Sequence, residues 1–280
     1  MKFPARILAV LGLAFASQGF ATSPNTTAAN SVPFEVGQGW VSHYFDESTP
    51  TRWFRFGEIS GHSYCVEAVQ GSFSPIQLDP NVTIYTDATG ATTLVSNSVT
   101  LTNDNGGGDP NYIKGSRICY ISPVTTYGTT SVRGIKINVP ITTGSGDSGY
   151  VRMRVVETTL YADDASVNWA SSQVPQYWVY TTAWLTNPTP STINYRYVFP
   201  LASIIGPMNS LPAGGSSNGQ QVNYAIDPAL TSLMWRGSVL IPSDGPLDAL
   251  RGTFVINSLT TFTNGSFYTF LQQSQPLRSK

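Results

Sequence analysis

Period-two alternation, broken every ten residues or so by glycine or proline, constrains this chain most. "RWFRFGEI" puts Phe54 and Phe56 on one face and Arg55 on the other. "HSYCVEAV" puts Tyr64, Val66 and Ala68 on one side and Cys65, Glu67 and Val69 on the opposite side. "NVTIYTD" alternates Val82 and Ile84 before a turn at Asp87–Gly90, and "GIKINVPI" and "GYVRMRVV" repeat the pattern. Strands alternate with period two and helices with 3.6, so these stretches predict strands. Many short strands with regular turn signals predict an all-β protein, a sandwich or jelly roll.

A second run of strands follows "VRMRVVETTLYADD": "QYWVYTTAWLTNPTPSTINYRYVFPL", "SLMWRGSVLIPSD", "LRGTFVIN" and "GSFYTFLQ". Within the first of these, Asn187–Ser191 predicts a hairpin turn between two aromatic-rich strands. The expectation is two consecutive β-sandwich domains, residues 33–157 and 158–280. The polar "ADDAS" at 162–166 lies at their boundary, and "PAGGSSNGQQ" at 212–221 is an exposed loop.

The start, "MKFPARILAVLGLAFASQGFATS", has Lys2 and Arg6 before a short apolar core and small residues at Gly19 and Ala21. It predicts a secretory signal over residues 1–21, followed by a polar, disordered segment over 22–32. No second apolar run reaches the ~18 residues of a membrane span. The expected location is therefore outside the cytoplasm, secreted, at the cell surface or in the periplasm. Charged residues are 11% of the chain and the net charge is −1, with no basic stripe, which argues against nucleic acid as a partner. In an oxidising compartment the two cysteines, Cys65 and Cys119, predict one disulfide.

The first half resembles the bacterial pre-peptidase C-terminal domain, a small β-sandwich of secreted proteins. "RWFRFGEISGHSYCVEA", "DPNVTIYTDATG", "SRICYISP" with "GIKINV", and "GSGDSGYVRMRVVET" occur in that family's order. More faintly, "AWLTNPTPSTINYRYVF" and "WRGSVLIPSDGPLDALRGTF" are similar to immunoglobulin-like domains of secreted bacterial surface proteins. Both resemblances imply a module that is not itself an enzyme.

The tetrapeptide Gly146–Gly149 spells the nucleophile motif of trypsin-like proteases. A serine nucleophile needs a histidine base and an orienting carboxylate. Only His43 and His62 exist, and neither has the sequence context of such a base. "GSGDSG" therefore reads as a hairpin turn, with its three glycines available for positive φ, and no catalytic residue is expected. His43 with Asp46 or Glu47, and His62 with Glu58, lack a third ligand at metal spacing. Calcium is the one cofactor candidate: "LTNDNGGGDPN" offers Asp104, Asp109, Asn103 and Asn105 as hard oxygen ligands, and Asp163 and Asp164 form a weaker pair. A carbohydrate platform could be built from Trp178, Tyr180 and Trp184, since aromatic faces stack on sugars; core packing competes for the same side chains. The Trp235–Arg236 pair fits a cation–π contact. The leading functional expectation is a non-catalytic structural or adhesive surface protein, contacting other extracellular proteins or itself. The alternative is a carbohydrate-binding accessory module.

Overall fold

The computed structural model describes residues 25–71, 78–96, 99–100, 102–103, 115–123, 126, 128–168, 176–199, 204–217, 220–223, 234–261, 267–276 and 278–279. Side chains at 95–103, 162–168, 176–183, 199, 204, 220–223, 234–238 and 254–279 are outside that description.

The described chain is all-β. Its first half contains β1 (Val32–Pro33), β2 (Val41–Asp46), β3 (Thr51–Ile59), β4 (Ser63–Gln70), β5 (Asn81–Tyr85), β6 (Val95–Ser96), β7 (Val99–Thr100), β8 (Thr102–Asn103), β9 (Gly115–Ile121), β10 (Thr130–Asn138) and β11 (Ser148–Glu157). Two main sheets result, in the orders β1-β3-β10-β5-β8 and β2-β11-β4-β9. All pairings in them are antiparallel except β1 with β3. The alternating residues then meet in one core. Phe54, Phe56, Val82, Ile84, Ile135 and Ile137 of the first sheet join Tyr64, Val66, Ile118, Tyr120, Val151, Met153 and Val155 of the second. Burying one apolar face of each sheet against the other is what holds a sandwich together.

The second half contains β12 (Leu160–Asn168), β13 (Gln176–Thr186), β14 (Ile193–Tyr195), β15 (Val198–Phe199), β16 (Ile204–Ile205), β17 (Asn209–Leu211), β18 (Gln220–Asn223), β19 (Met234–Ile241), β20 (Arg251–Thr261), β21 (Phe267–Pro276) and β22 (Arg278–Ser279). These form sheets ordered β16-β15-β19-β12-β22 and β18-β13-β20-β21, with a small β14-β17 ribbon.

Four expectations change. "ADDAS" lies past the junction: 162–166 runs inside β12, with a register shift between Ala162 and Ala165. Between β11 and β12 stand only Thr158 and Thr159, both buried. Asn187–Ser191 turns the chain but closes no hairpin, because β13 pairs with β18 and β20 while β14 pairs with β17. The "GSGDSG" loop likewise joins β10 and β11, which lie in different sheets. Only Gly144 and Gly146 of its glycines adopt positive φ (83° and 70°), Gly149 being already strand. The segment expected to be disordered is docked from Asn25 onward. Asn25 is buried, its carbonyl accepts from the Trp53 N–H, and its side-chain amide donates to the Trp53 carbonyl (2.8 Å). Its Oδ1 accepts from Arg52 (2.8 Å), and β1 then pairs along β3.

The two halves touch around Ser63. The Ser63 N–H donates to Thr159 Oγ1 (2.8 Å), and Ser63 Oγ accepts from Thr158 Oγ1 (3.0 Å) and from the Ser243 N–H (3.1 Å). Cys65 and Cys119 form the expected disulfide between directly opposed positions of β4 and β9. Its Cys65 sulfur lies 3.5 Å from the Gly245 carbonyl, a packing contact, since a disulfide sulfur carries no proton.

Candidate binding surfaces

Strand parity decides the fate of Ser148. Ser148 pairs with Asp46, whereas His43 pairs with Val151, three positions further along and therefore on the opposite face. His43 points inward, its ring 4.6 Å from that of Phe54. Burial, with Arg52 nearby, lowers its pKa to about 4. His62 stands at the far end of β11, where its Nδ1 lies 2.7 Å from Glu157 Oε1. Nine residue steps along the strand, roughly 30 Å, separate that pair from Ser148. The "GSGDSG" loop is pinned by Glu47, whose carboxylate accepts from the N–H groups of Gly144 (2.9 Å) and Gly146, and these bonds hold it below its ordinary pKa.

The metal pairings rearrange too. His62 takes Glu157, not Glu58. Glu58 is fully buried, accepting from Tyr120 Oη (2.7 Å) and Ser122 Oγ (3.0 Å) and ion-paired with Arg133. Among the described residues no three of His, Cys, Asp or Glu gather as a metal would require. The calcium candidates Asp104, Asn105 and Asp109 lie outside the described residues, as do the side chains of Asn103, Asp163, Asp164, Trp235 and Arg236.

Two surfaces remain. The first is the outer face of the β2-β11-β4-β9 sheet. Alternation sends Tyr150, Arg152 and Arg154 outward, as the sequence predicts, while Val151, Met153 and Val155 fill the core. Tyr150 opposes Tyr44 directly, with ring centroids 5.3 Å apart and a 64° interplanar angle. Both residues are well exposed (40% and 39%). Further along, Trp40 packs beneath two guanidiniums, 4.5 Å from Arg154 and 5.4 Å from Arg152. Arg154 also donates to the buried Glu67, and Arg117 stands 3.9 Å from the same carboxylate. These three guanidiniums surround one carboxylate, while Asp46, in phase with Tyr44, puts a second acid on the same face. β2 is the sheet's edge, and Arg52 Nε occupies its Tyr44 carbonyl (2.7 Å), which blunts strand addition there.

The second surface is in the other half. β13 runs in unbroken register against β20 from Gln176 to Thr186, so positions 178, 180, 182 and 184 share one face of the strand. Leu185 is buried on the other face, and Trp184 is 52% exposed. The side chains of Trp178 and Tyr180 lie outside the described residues. Near this end of β13 an open groove of about 470 Å³ is lined by Tyr195, Asn209, Ser210, Leu211, Pro212, Ser216 and Ser217. Sequence reasoning missed the groove, because its lining comes from three separate stretches. It missed Trp40 for a related reason, since that residue belongs to no alternating run.

No family model matches the chain, and no curated protein matches it either.

Proposed function

We propose that the protein is a non-catalytic, exported component of the cell surface or extracellular space that adheres through protein–protein contacts. The observation carrying this reading is the exposed Tyr44–Tyr150 pair beside Trp40 and its two stacked arginines. Tyr, Trp and Arg dominate the binding energy of protein interfaces, because they combine large contact area with directional polar ends. Its arginine end sets three guanidiniums against one carboxylate, so the partner presents an acidic surface there. The buried Cys65–Cys119 disulfide supports an oxidising location. The resemblance of residues 33–157 to pre-peptidase C-terminal domains supports an accessory role.

The test is binding of the fluorescently labelled, secreted protein to the cells that produce it. The double variant Tyr44→Ala/Tyr150→Ala should lose at least tenfold in affinity, and protease treatment of the cells should abolish binding. Retention unchanged in the double variant, or surviving proteolysis of the cell surface, would refute the reading.

A further inference from the structure

We propose that the groove beside the end of β13 binds a neutral saccharide, with Trp184 as the ring that stacks on a sugar face. The lining is hydroxyl, amide and apolar, with no charged residue among its seven members. An ionic ligand finds no counter-charge in this lining, whereas a polyhydroxylated neutral one meets the Ser210 and Ser216 hydroxyls. The volume falls within the ~300–1,000 Å³ of small-molecule sites.

The groove is also built to hold its shape. Ser210 Oγ donates to Asn194 Oδ1 (2.6 Å), and Asn194 is fixed in turn by Asp244, which accepts from both its N–H and its Nδ2 (2.7 Å each). With its proton committed to Asn194, the Ser210 hydroxyl offers lone pairs to a sugar hydroxyl. On the other side, the buried Asn187 amide donates to the carbonyls of Ser191 (2.7 Å), Leu211 (3.1 Å) and Pro212 (3.0 Å), and its N–H donates to Gly215. Leu185 N–H donates to Ser217 Oγ (2.7 Å), and Ser217 N–H returns a bond to the Leu185 carbonyl. Walls held this way lose little freedom when a ligand docks.

Trp184 is not part of the lining but lies near it along β13. Ser216 of the lining bridges Thr186, two residues or about 7 Å along β13 from Trp184. An exposed tryptophan alone needs no explanation. Beside a rigid, neutral, hydroxyl-lined groove it supplies the flat apolar surface that the C–H face of a pyranose requires. This site shares no residue with the Tyr44–Tyr150 face, so either proposal can fail without the other.

Affinity electrophoresis tests it, using the purified secreted protein in native gels containing hydroxyethylcellulose, soluble starch or galactomannan, with alginate as the acidic counterpart. Retardation is expected in at least one neutral gel and not in alginate. Trp184→Ala should weaken it at least tenfold, Ser210→Ala several-fold, and Trp184→Phe should retain part of it, all three melting as wild type. Overturning results are mobility unchanged in every neutral gel, retardation indifferent to Trp184→Ala, or retardation in alginate alone.

Discussion

His43 should impose a measurable pH dependence on stability. Its ring is wedged against Phe54 inside the first sandwich, its Nε2 is buried without a hydrogen-bond partner, and Arg52 faces it. Both effects disfavour the imidazolium, so the pKa falls from 6.5 in the unfolded chain to about 4. Above pH 6.5 neither state holds the proton and His43 adds no slope. Between about 6.5 and 4 the unfolded chain binds a proton that the folded ring refuses, so stability falls as pH falls. Each pH unit costs at most about 1.4 kcal/mol, and the loss levels off near 3 kcal/mol below pH 4. The perturbation is His43→Leu, which keeps an apolar side chain against Phe54 and removes the titration. At pH 7.5 the variant should match wild type within about 1 kcal/mol, because the lost nitrogen had no partner to leave behind. At pH 4 it should gain about 3 kcal/mol relative to wild type. Urea unfolding of both proteins across this range reads the difference directly. Asp244, whose burial raises its pKa and gives the opposite slope, titrates in both proteins and cancels. Parallel curves from pH 6.5 to 4 would sink the reasoning.

Glu58→Ala should cost about 3–5 kcal/mol in urea unfolding, because it leaves the buried Arg133 uncompensated, whereas Glu58→Leu with Arg133→Met should cost far less. Replacing both cysteines by alanine should cost about 4 kcal/mol by the chain-entropy relation for a sequence separation of 54, measured the same way. Asn25→Ala should free residues 25–33 from the β3 edge, which limited proteolysis would report as new cleavage there with the rest of the domain intact. Ser148→Ala should unfold within about 0.5 kcal/mol of wild type, since Ser148 meets its neighbours mainly through backbone pairing.

What was legible in the sequence is what period two encodes. Phe54 and Phe56, Tyr64 and Val66, and Val151 to Val155 all face the way their parity requires, and the disulfide joins the two cysteines of strand-like runs. Parity also held a signal that was not used. Glu58 is in phase with Phe54 and Phe56, and Arg133 with Ile135 and Ile137, so two opposite charges occupy core positions and must neutralise each other. The missed features share a different cause. Asn25 docks through one amide and its own backbone, which leaves no hydrophobic pattern to read. Asn187–Ser191 announces that the chain turns, but turn residues do not say which sheet receives the next strand. The groove gathers Tyr195, Ser210 and Ser216 from separate stretches of the chain, and only the folded β14-β17 ribbon brings the first two together.

The junction determines how two such surfaces could cooperate. Thr158 and Thr159 are the only residues between β11 and β12, and their hydroxyls are spent on Ser63, which also accepts from Ser243 of the second half. A flexible tether would let each surface search alone. A two-residue, buried, hydrogen-bonded joint instead restrains the aromatic–arginine face relative to the groove. On the two proposals above, a partner carrying both an acidic protein surface and a neutral glycan would meet the second site at high effective concentration once the first is engaged. Loosening the joint by Ser63→Ala, which strands the buried Ser243 N–H, should then weaken binding to such a partner while leaving each isolated interaction unchanged.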